Sequence, residues 1–140
     1  MRTSGILMPI SSLPSPYGIG TMGKEARRFV DFLEKGGQTY WQILPICPTS
    51  YGDSPYQSFS SFAGNPYFID LELLCKDKLL TKKECESYKW GKKPQYVDYG
   101  IMYVNRYDLL KKAYDRFKKN VPADYDDFCK NEAEWLDEYT

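Results

Sequence analysis

Gly5-Ile6-Leu7-Met8-Pro9-Ile10 and Thr39-Tyr40-Trp41-Gln42-Ile43-Leu44 are the two stretches that decide the fold. Both are short apolar runs next to turn residues, a pattern that predicts strands. A helical pattern lies between them, with apolar residues on one face at Met22, Ala26, Phe29, Val30 and Leu33. Strand, amphipathic helix and strand in this order predict a βαβ unit with a parallel strand pair and a right-handed crossover.

Helix ends are also visible in the sequence. Thr21 is a favourable N-terminal cap for the first helix, and Gly36-Gly37 is expected to close it because glycine tolerates the conformation that follows a last turn. After a polar loop, the remainder is predicted to be mostly helical. Thr81-Lys82-Lys83-Glu84 has the pattern of a capping box, and apolar residues at helical spacing from Tyr103 to Phe117 indicate one long helix.

The predicted architecture is incomplete. A pair of parallel strands has open edges and cannot cover its own apolar face. The last helical stripe, which contains Trp135 and Tyr139, reaches Thr140 without a glycine, a proline or a cationic turn that would mark a helix end. We therefore expect the chain to be part of a larger polypeptide, whether as a truncated product, an incomplete sequence or a piece of a longer protein.

Charge and composition exclude several kinds of site. The 140 residues include 19 Lys and Arg and 19 Asp and Glu, so no one-sided charge points to nucleic acid or to an anionic membrane. Histidine is absent and the 4 cysteines lack metal-ligand spacing, so neither a metal nor another cofactor is predicted. No segment has the length of a transmembrane helix or the pattern of a secretory signal, which leads us to expect a soluble, cytoplasmic protein.

Gly18-Ile19-Gly20-Thr21-Met22-Gly23 matches the glycine pattern of dinucleotide-binding folds. That fingerprint needs a tight turn, whereas Pro14 and Pro16 lengthen this one, and Leu44-Pro45-Ile46 offers no acidic residue for a ribose hydroxyl. We therefore expect the glycines to serve loop geometry and helix packing. A nucleotide-dependent enzyme stays an alternative, which predicts measurable binding of NAD or ATP.

Tyr51-Gly52-Asp53-Ser54-Pro55-Tyr56-Gln57-Ser58 follows the carboxyl end of the second predicted strand. Ligand sites of parallel α/β folds are built at that end, where loops converge above a rigid sheet. Two tyrosine rings beside Asp, Ser and Gln suit a sugar, because sugar rings have apolar faces and hydroxyl groups that need hydrogen-bond partners. The alternative is structural: Asp53 and Ser54 shape turns while the tyrosines pack inward.

Several strings of the sequence together resemble the opening of the 4-α-glucanotransferases, also called amylomaltases or disproportionating enzymes. They are residues 4–14 (SGILMPISSLP), 17–20 (YGIG), 41–45 (WQILP), 52–58 (GDSPYQS) and 62–67 (FAGNPY). Their order and spacing match the family from about residue 3 to residue 75, and residues 97–100 and 135–139 resemble family segments more loosely. Thr21-Met22 departs from the more familiar Asp-Leu pair, a change at the predicted helix cap.

The resemblance implies an α/β fold, the (β/α)8 barrel of the TIM type with helical insertions. Residues 1–75 would begin the catalytic barrel, and residues 76–140 would form a helical insertion subdomain that is incomplete at its carboxyl end. The implied reaction is a retaining transfer of α-1,4-glucan segments between maltooligosaccharides, in which one carboxylate attacks the anomeric carbon and a second carboxyl group protonates the leaving sugar. The family's catalytic carboxylates have no counterpart here, so no residue is predicted to be catalytic and the chain alone is predicted to be inactive.

The resemblance also implies a substrate-binding role for the loop after the second strand. Ser54 and Tyr56 match residues that line the acceptor side of the sugar cleft, and Tyr51, Asp53 and Gln57 belong to the same loop. The implied partners are maltooligosaccharides and other α-1,4-glucans, together with the remainder of the barrel; no nucleic acid and no membrane are expected. A non-catalytic α-glucan-binding module stays an alternative, because the aromatic loop permits it.

Overall fold

A computed structural model describes residues 2–139. Met1 and Thr140 lie outside the described residues; the predicted barrel segment begins at the first, and the predicted last helix reaches the second. Strand β1 (Gly5–Leu7) pairs in parallel with β2 (Tyr40–Gln42) to form a two-stranded sheet. Helix α1 (Lys24–Lys35) connects them. The predicted order of strand, helix and strand is confirmed, although both strands are shorter than the apolar runs that predicted them.

The start of α1 differs from the prediction. The helix is preceded by Gly23 as its N-cap residue, and Thr21 does not cap it. The Thr21 hydroxyl instead donates a hydrogen bond of 2.5 Å to Asp70 Oδ2, which ties the beginning of this helix to a later part of the chain. The predicted end is confirmed: Gly36 follows the last helical residue, and Gly37 has a φ of 66°, which glycine adopts without steric cost.

The chain beyond the loop after β2 is mostly helical, as predicted. A short 3-10 turn at Pro66–Phe68 leads into α2 (Leu71–Lys76), α3 (Lys82–Glu86), α4 (Tyr99–Phe117), α5 (Tyr125–Asn131) and α6 (Ala133–Tyr139). Helix α4 begins earlier than the predicted Tyr103. It does so because Asp98 caps it, with Oδ1 accepting a hydrogen bond of 3.1 Å from the Ile101 N–H.

The predicted capping box at the start of α3 is confirmed. Thr81 Oγ1 accepts a hydrogen bond from the Glu84 N–H at 3.3 Å, and Glu84 Oε2 accepts one from the Thr81 N–H at 2.8 Å. Arg116 of α4 donates to both carboxylate oxygens of Glu84, at 2.9 and 2.5 Å, and to the Leu79 carbonyl at 2.9 Å. One carboxylate therefore both caps α3 and joins it to α4.

A cluster of buried side chains, called the helical core below, joins α2, α3 and α4. It contains Leu71, Leu80, Cys85, Leu109 and Ala113, and Tyr17 from the segment after β1 packs against them. Leu71, Cys85 and Leu109 are 0% exposed. Burying one leucine side chain stabilises a fold by roughly 1.5–3 kcal/mol, so the helical part of the chain has a substantial apolar core of its own.

The strand pair, β1 with β2, is exposed by contrast. Leu7 is 55% exposed and Tyr40 is 61% exposed, whereas parallel sheets are ordinarily covered on both faces. Trp41 is the better packed residue of β2. Its ring centroid lies 5.0 Å from that of Phe29, and its Nε1–H donates a hydrogen bond of 2.8 Å to the Met8 carbonyl. Trp41 is therefore a packing residue.

The segment between β1 and α1 is packed too closely for a side chain at Gly20. A Cβ there would overlap the carbonyl oxygen of Ile10 and would lie 2.8 Å from the backbone nitrogen and oxygen of Leu13. Gly18 has a φ of 80°, and a Cβ at this position would overlap the carbonyl oxygen of Trp90. Gly18 and Gly20 therefore serve the geometry and close backbone packing of this segment, in agreement with the loop role predicted for the glycines.

Candidate functional site

The loop after β2, residues 43–65, begins at the carboxyl end of a parallel strand. Its base is closed by a hydrogen bond of 2.8 Å from the Asn65 N–H to the Ile46 carbonyl. Asn65 is buried, and its Oδ1 accepts a hydrogen bond of 2.9 Å from the Tyr67 N–H, which caps the 3-10 turn. The predicted site residues therefore lie on a loop whose two ends are fixed.

Tight turns form the tip of this loop. The Asp53 N–H donates to the Ser50 carbonyl and the Gln57 N–H donates to the Ser54 carbonyl, each at 3.1 Å. A further bond of 3.1 Å, from the Ser50 N–H to the Gln57 carbonyl, joins the turns into one unit. Gly52 (φ 93°) and Asp53 (φ 55°) supply the left-handed conformations that this path requires. This unit, called the tip lobe (residues 50–57), contains every predicted site residue.

Tyr51, Tyr56 and Gln57 face solvent on the tip lobe. Tyr51 is 101% exposed and Tyr56 is 74% exposed, so the alternative in which both tyrosines pack inward is wrong. Ser54 is half-buried, and its Oγ accepts a hydrogen bond of 3.4 Å from the Tyr56 N–H. A hydroxyl that accepts in this way keeps its own hydrogen for donation. The lobe thus presents apolar ring faces beside hydroxyl and amide groups.

Asp53 has a different environment from its neighbours on the tip lobe. Thr49 Oγ1 donates a hydrogen bond of 3.4 Å to Asp53 Oδ1. Asp53, which is half-buried, also lines a narrow, partly open cavity of about 100 Å³, together with Tyr67 and Tyr99. Ligand pockets are commonly about 300–1,000 Å³, so this cavity is too small for a sugar ring. The structure therefore brings Asp53 together with the other predicted residues along the chain, but directs it towards the interior.

The tyrosines behind Asp53 are held in their neutral form. Burial, followed by the nearby Tyr107 and Asp53, raises the pKa of Tyr67 to about 12. Burial and then the Asp53 charge also raise the pKa of Tyr99. Their rings lie 6.2 Å apart between centroids, and that of Tyr107 lies 5.7 Å from Tyr67. The loop therefore rests on a cluster of protonated phenols that can donate hydrogen bonds.

The second half of the loop lines an aromatic groove that the sequence prediction did not include. Phe59 stacks on Tyr139 with ring centroids 5.9 Å apart, and Phe62 stacks on Trp135 at 6.2 Å. The groove has a volume of about 470 Å³, and two glutamates of α6 contribute to its lining. The available signal was the spacing of Trp135 and Tyr139, which places both on one face of a helix. Nothing in the sequence indicated that this face would meet the loop.

A larger groove, of about 670 Å³, lies between residues 11–20 and residues 90–97. It contains none of the predicted site residues. Two lysines, Lys92 and Lys93, and the exposed Tyr96 belong to its second wall. Size alone therefore does not select the tip lobe as the functional site; its position beyond β2 and its side chains do.

Arg106 is a positioning residue that the sequence prediction missed. Its side chain is 0% exposed, and one guanidinium nitrogen donates to the carbonyls of Tyr67, at 3.0 Å, and Ile69. Burial lowers the pKa of Arg106 to about 10 against the opposing effect of Asp70, so the side chain stays charged at neutral pH. Arg106 therefore fixes the turn that follows the loop. In the sequence Arg106 does not differ from the other cationic residues of this helix, so its burial could not be predicted.

Within residues 2–139, no three Asp, Glu, Cys or His side chains are placed to hold a metal ion together. No helix in the same range is long and apolar enough to cross a membrane.

Comparison with known proteins gives consistent matches. A family model described as 4-alpha-glucanotransferase matches residues 8–140. A 4-alpha-glucanotransferase of Clostridium butyricum is 51% identical over 133 residues, which are 95% of this chain and 27% of the relative. One of Thermus thermophilus is 44% identical over 142 residues, with 99% of this chain and 27% of the relative covered.

A solved structure gives the same result. The amylomaltase from Streptococcus agalactiae in complex with acarbose superposes with a TM-score of 0.90 and 45% sequence identity, over 95% of this chain and 27% of that chain. The two parallel strands and the helices described above thus match a mixed α/β part of a longer structure. The chain spans about a quarter of the length of the relatives that it matches, 27% in each of these three cases.

Proposed function

Because the chain belongs to the 4-alpha-glucanotransferase family, we propose that it forms the first part of the (β/α)8 barrel of an enzyme that transfers α-1,4-glucan segments between maltooligosaccharides with retention. The observation that carries this proposal is the match over residues 8–140, combined with the position of the tip lobe at the carboxyl end of a parallel strand. That end of a barrel is where active sites are built.

The division of labour within the chain follows from the same proposal. Residues 1–75 supply the first barrel strands, the helix between them and the tip lobe. Residues 76–140 supply a helical insertion, of which α3 and α4 form the best packed part. Helix α2, at the boundary, packs against both parts through the Thr21–Asp70 hydrogen bond and the helical core.

The tip lobe binds glucan in this proposal. Ser54 and Tyr56 contact a sugar on the acceptor side, with the ring of Tyr56 against an apolar sugar face and the Ser54 hydroxyl donating to a sugar oxygen. Tyr51 and Gln57 lie beside them with exposed side chains, whereas Asp53 acts from the interior by holding the lobe. The structure of a relative that is 45% identical contains acarbose, an α-glucan analogue, which supports a glucan as the ligand class.

Catalysis requires groups beyond those of the tip lobe. A retaining glycosyl transfer uses a carboxylate nucleophile and a carboxylic acid about 5–5.5 Å apart. In the proposed enzyme both come from later strands of the barrel, in the part of the relatives that these 140 residues do not cover. The chain alone is therefore expected to bind glucan weakly at most and to transfer none.

The test is reconstitution. This chain is expressed alone, and together with the part of the Clostridium butyricum relative that lies outside the matched segment, and maltotriose disproportionation is measured. Activity is expected only when both parts are present. The variant Tyr56→Ala should then lower kcat/KM by roughly tenfold or more, because a sugar-contacting ring is lost. Tyr96→Ala is the matched control, since Tyr96 is 72% exposed against 74% for Tyr56 and lies outside the tip lobe.

Two outcomes would contradict the proposal. Disproportionation by the 140-residue chain alone would show that its chemistry needs no further carboxylates. Saturable binding of maltooligosaccharides by the chain, combined with an inactive but stable reconstituted complex, would favour the non-catalytic glucan-binding module.

A further inference from the structure

Cys75 of α2 and Cys85 of α3 face each other inside the helical core. Their Sγ atoms lie 3.6 Å apart, a distance at which one thiol donates a hydrogen bond to the other. Cys85 is 0% exposed, whereas Cys75 is only partly buried. The pair therefore joins a fully buried residue to one that is only partly buried.

The two helices hold this pair in a fixed frame. Asp70 caps α2 through a hydrogen bond of 2.9 Å from the Leu73 N–H, and the capping box described above begins α3. The connection between the helices is short, and Lys78 in it adopts a φ of 62°. Arg116 fixes the same connection from α4 through the Leu79 carbonyl. The sulfurs are thus held in contact by regular structure on both sides.

The environment decides which sulfur reacts first. Burial, followed by the hydrogen bond and charge of Cys75, raises the pKa of Cys85 to about 12, so the Cys85 thiol keeps its proton. Thiolates, and not thiols, attack peroxides, and access is needed as well. Cys75 is the partly buried member of the pair, so it is the residue that a peroxide meets first.

We propose that Cys75 and Cys85 form an oxidation site that a hydroperoxide closes to an intramolecular disulfide. The Cys75 thiolate attacks the peroxide, forming an S–O bond and breaking the O–O bond, and the released alkoxide or hydroxide takes up a proton. The Cys85 sulfur then displaces the hydroxyl group of the Cys75 sulfenic acid. The Cys85 proton leaves with that hydroxyl as water, and the S–S bond forms.

The geometry favours closure within the chain over further oxidation. A disulfide needs the sulfurs at about 2.05 Å, so the two sulfurs have only to approach each other from the 3.6 Å at which they lie. The partner of a sulfenic acid at Cys75 is already in van der Waals contact. We therefore expect the disulfide to form in preference to a sulfinic acid or to a link between two chains.

The test treats the full 140-residue chain with a small excess of hydrogen peroxide and maps the products by mass spectrometry after trypsin. Trypsin leaves Cys47 and Cys75 on one peptide, because no Lys or Arg lies between residues 36 and 75, so Cys47→Ser is used as the background. The expected product joins the Cys75 peptide to residues 84–89 and is lighter by two hydrogen atoms than the two thiol peptides together. In this background Cys75→Ser should leave the thiol of Cys85 unoxidised, whereas Cys129→Ser should change nothing.

A second measurement separates native geometry from the mere nearness of the two cysteines in sequence. The equilibrium constant of the pair against glutathione is measured in buffer and in guanidinium chloride. A pair positioned by the fold should show an effective concentration about tenfold or more higher in buffer. Equal values in the two solvents, a sulfinic acid at Cys75 as the main product, or a disulfide to Cys129 would overturn the proposal.

Discussion

The helical core and the strand pair both come from apolar stretches of sequence, but the first is buried and the second is largely exposed. Leu109 of α4 is 0% exposed, whereas Leu7 of β1 is 55% exposed. The helices α2, α3 and α4 lie near one another in sequence and cover one another, while a parallel strand pair needs layers on both faces. An apolar pattern therefore predicts that a helix or a strand forms. It does not predict whether the residues that bury its apolar face lie in the same part of the chain.

The largest expected effect is on the helical core. Leu109→Ala removes a side chain that is 0% exposed and leaves a cavity between helices, so we expect it to lower the free energy of unfolding by about 2–5 kcal/mol. Urea denaturation followed by far-UV circular dichroism measures this change. An unchanged dependence on urea concentration would show that the unfolded states are comparable. A loss of less than about 1 kcal/mol would mean that the core can collapse around the cavity or is not formed.

The second largest loss of stability is expected in the segment between β1 and α1, which links the strand pair to the helical core. Gly20→Ala would place a Cβ against the carbonyl of Ile10 and the backbone of Leu13, which are not free to move like a flexible side chain. We expect a loss of about 1–3 kcal/mol in the same urea experiment. Gly64→Ala is the matched control, because nothing lies within 4 Å of a Cβ there. If both variants were equally stable, the close packing after β1 would not contribute to stability.

The third effect concerns the carboxylate that joins α3 to α4. Hydrogen bonds from Arg116 and then Thr81 lower the pKa of Glu84 from 4.5 to about 2. A carboxyl group with a lowered pKa in the folded state stabilises that state above its ordinary pKa, and the contribution is lost as the pH falls from about 4.5 towards about 2. Because the side chain is 28% exposed, solvent screening reduces the expected contribution to roughly 1 kcal/mol.

The measurement is the free energy of unfolding as a function of pH for the wild type and for Glu84→Gln. The variant should be less stable than the wild type at neutral pH, and the difference should shrink across the acid range. Glu86→Gln on the same helix is the control, since its ion pair with Lys82 is 3.6 Å long and exposed on both sides. A stability difference for Glu84→Gln that did not vary with pH would contradict the assigned role of the charge.

Much of the fold could be predicted from local sequence, and the exceptions share a cause. The strands, the glycine stop of α1 and the capping box of α3 depend on residues a few positions apart. Thr21 has the residue type and position of a helix cap, yet its hydroxyl binds Asp70, which is 49 positions away in the sequence. Arg106 likewise binds carbonyls of a distant turn. A residue's distant partners cannot be read from its neighbours.

The candidate site shows the same limit. The tip lobe was predicted from its residue types and from its position after the second strand. The exposure of Tyr51 and Tyr56 agrees with a binding surface. The inward environment of Asp53 was not predictable, because it depends on Tyr67 and Tyr99, which arrive from the later turn and from α4. The binding role of the lobe stays a prediction that reconstitution will test.

The smallest change in stability is expected for a substitution in β1, and it tests most directly why the strand pair and the helical core differ in burial. Leu7→Ala removes the same atoms as Leu109→Ala, but from a side chain that is 55% exposed. In the chain alone we expect a change within about 0.5 kcal/mol, measured by urea denaturation. In the reconstituted enzyme, where later strands and helices would cover β1, the same substitution should cost about 2–5 kcal/mol, because a covered leucine then leaves a cavity. A large cost already in the chain alone would mean that these residues cover the strand pair themselves. A small cost in both states would mean that β1 is not a barrel strand, since every strand of such a barrel is packed on both faces.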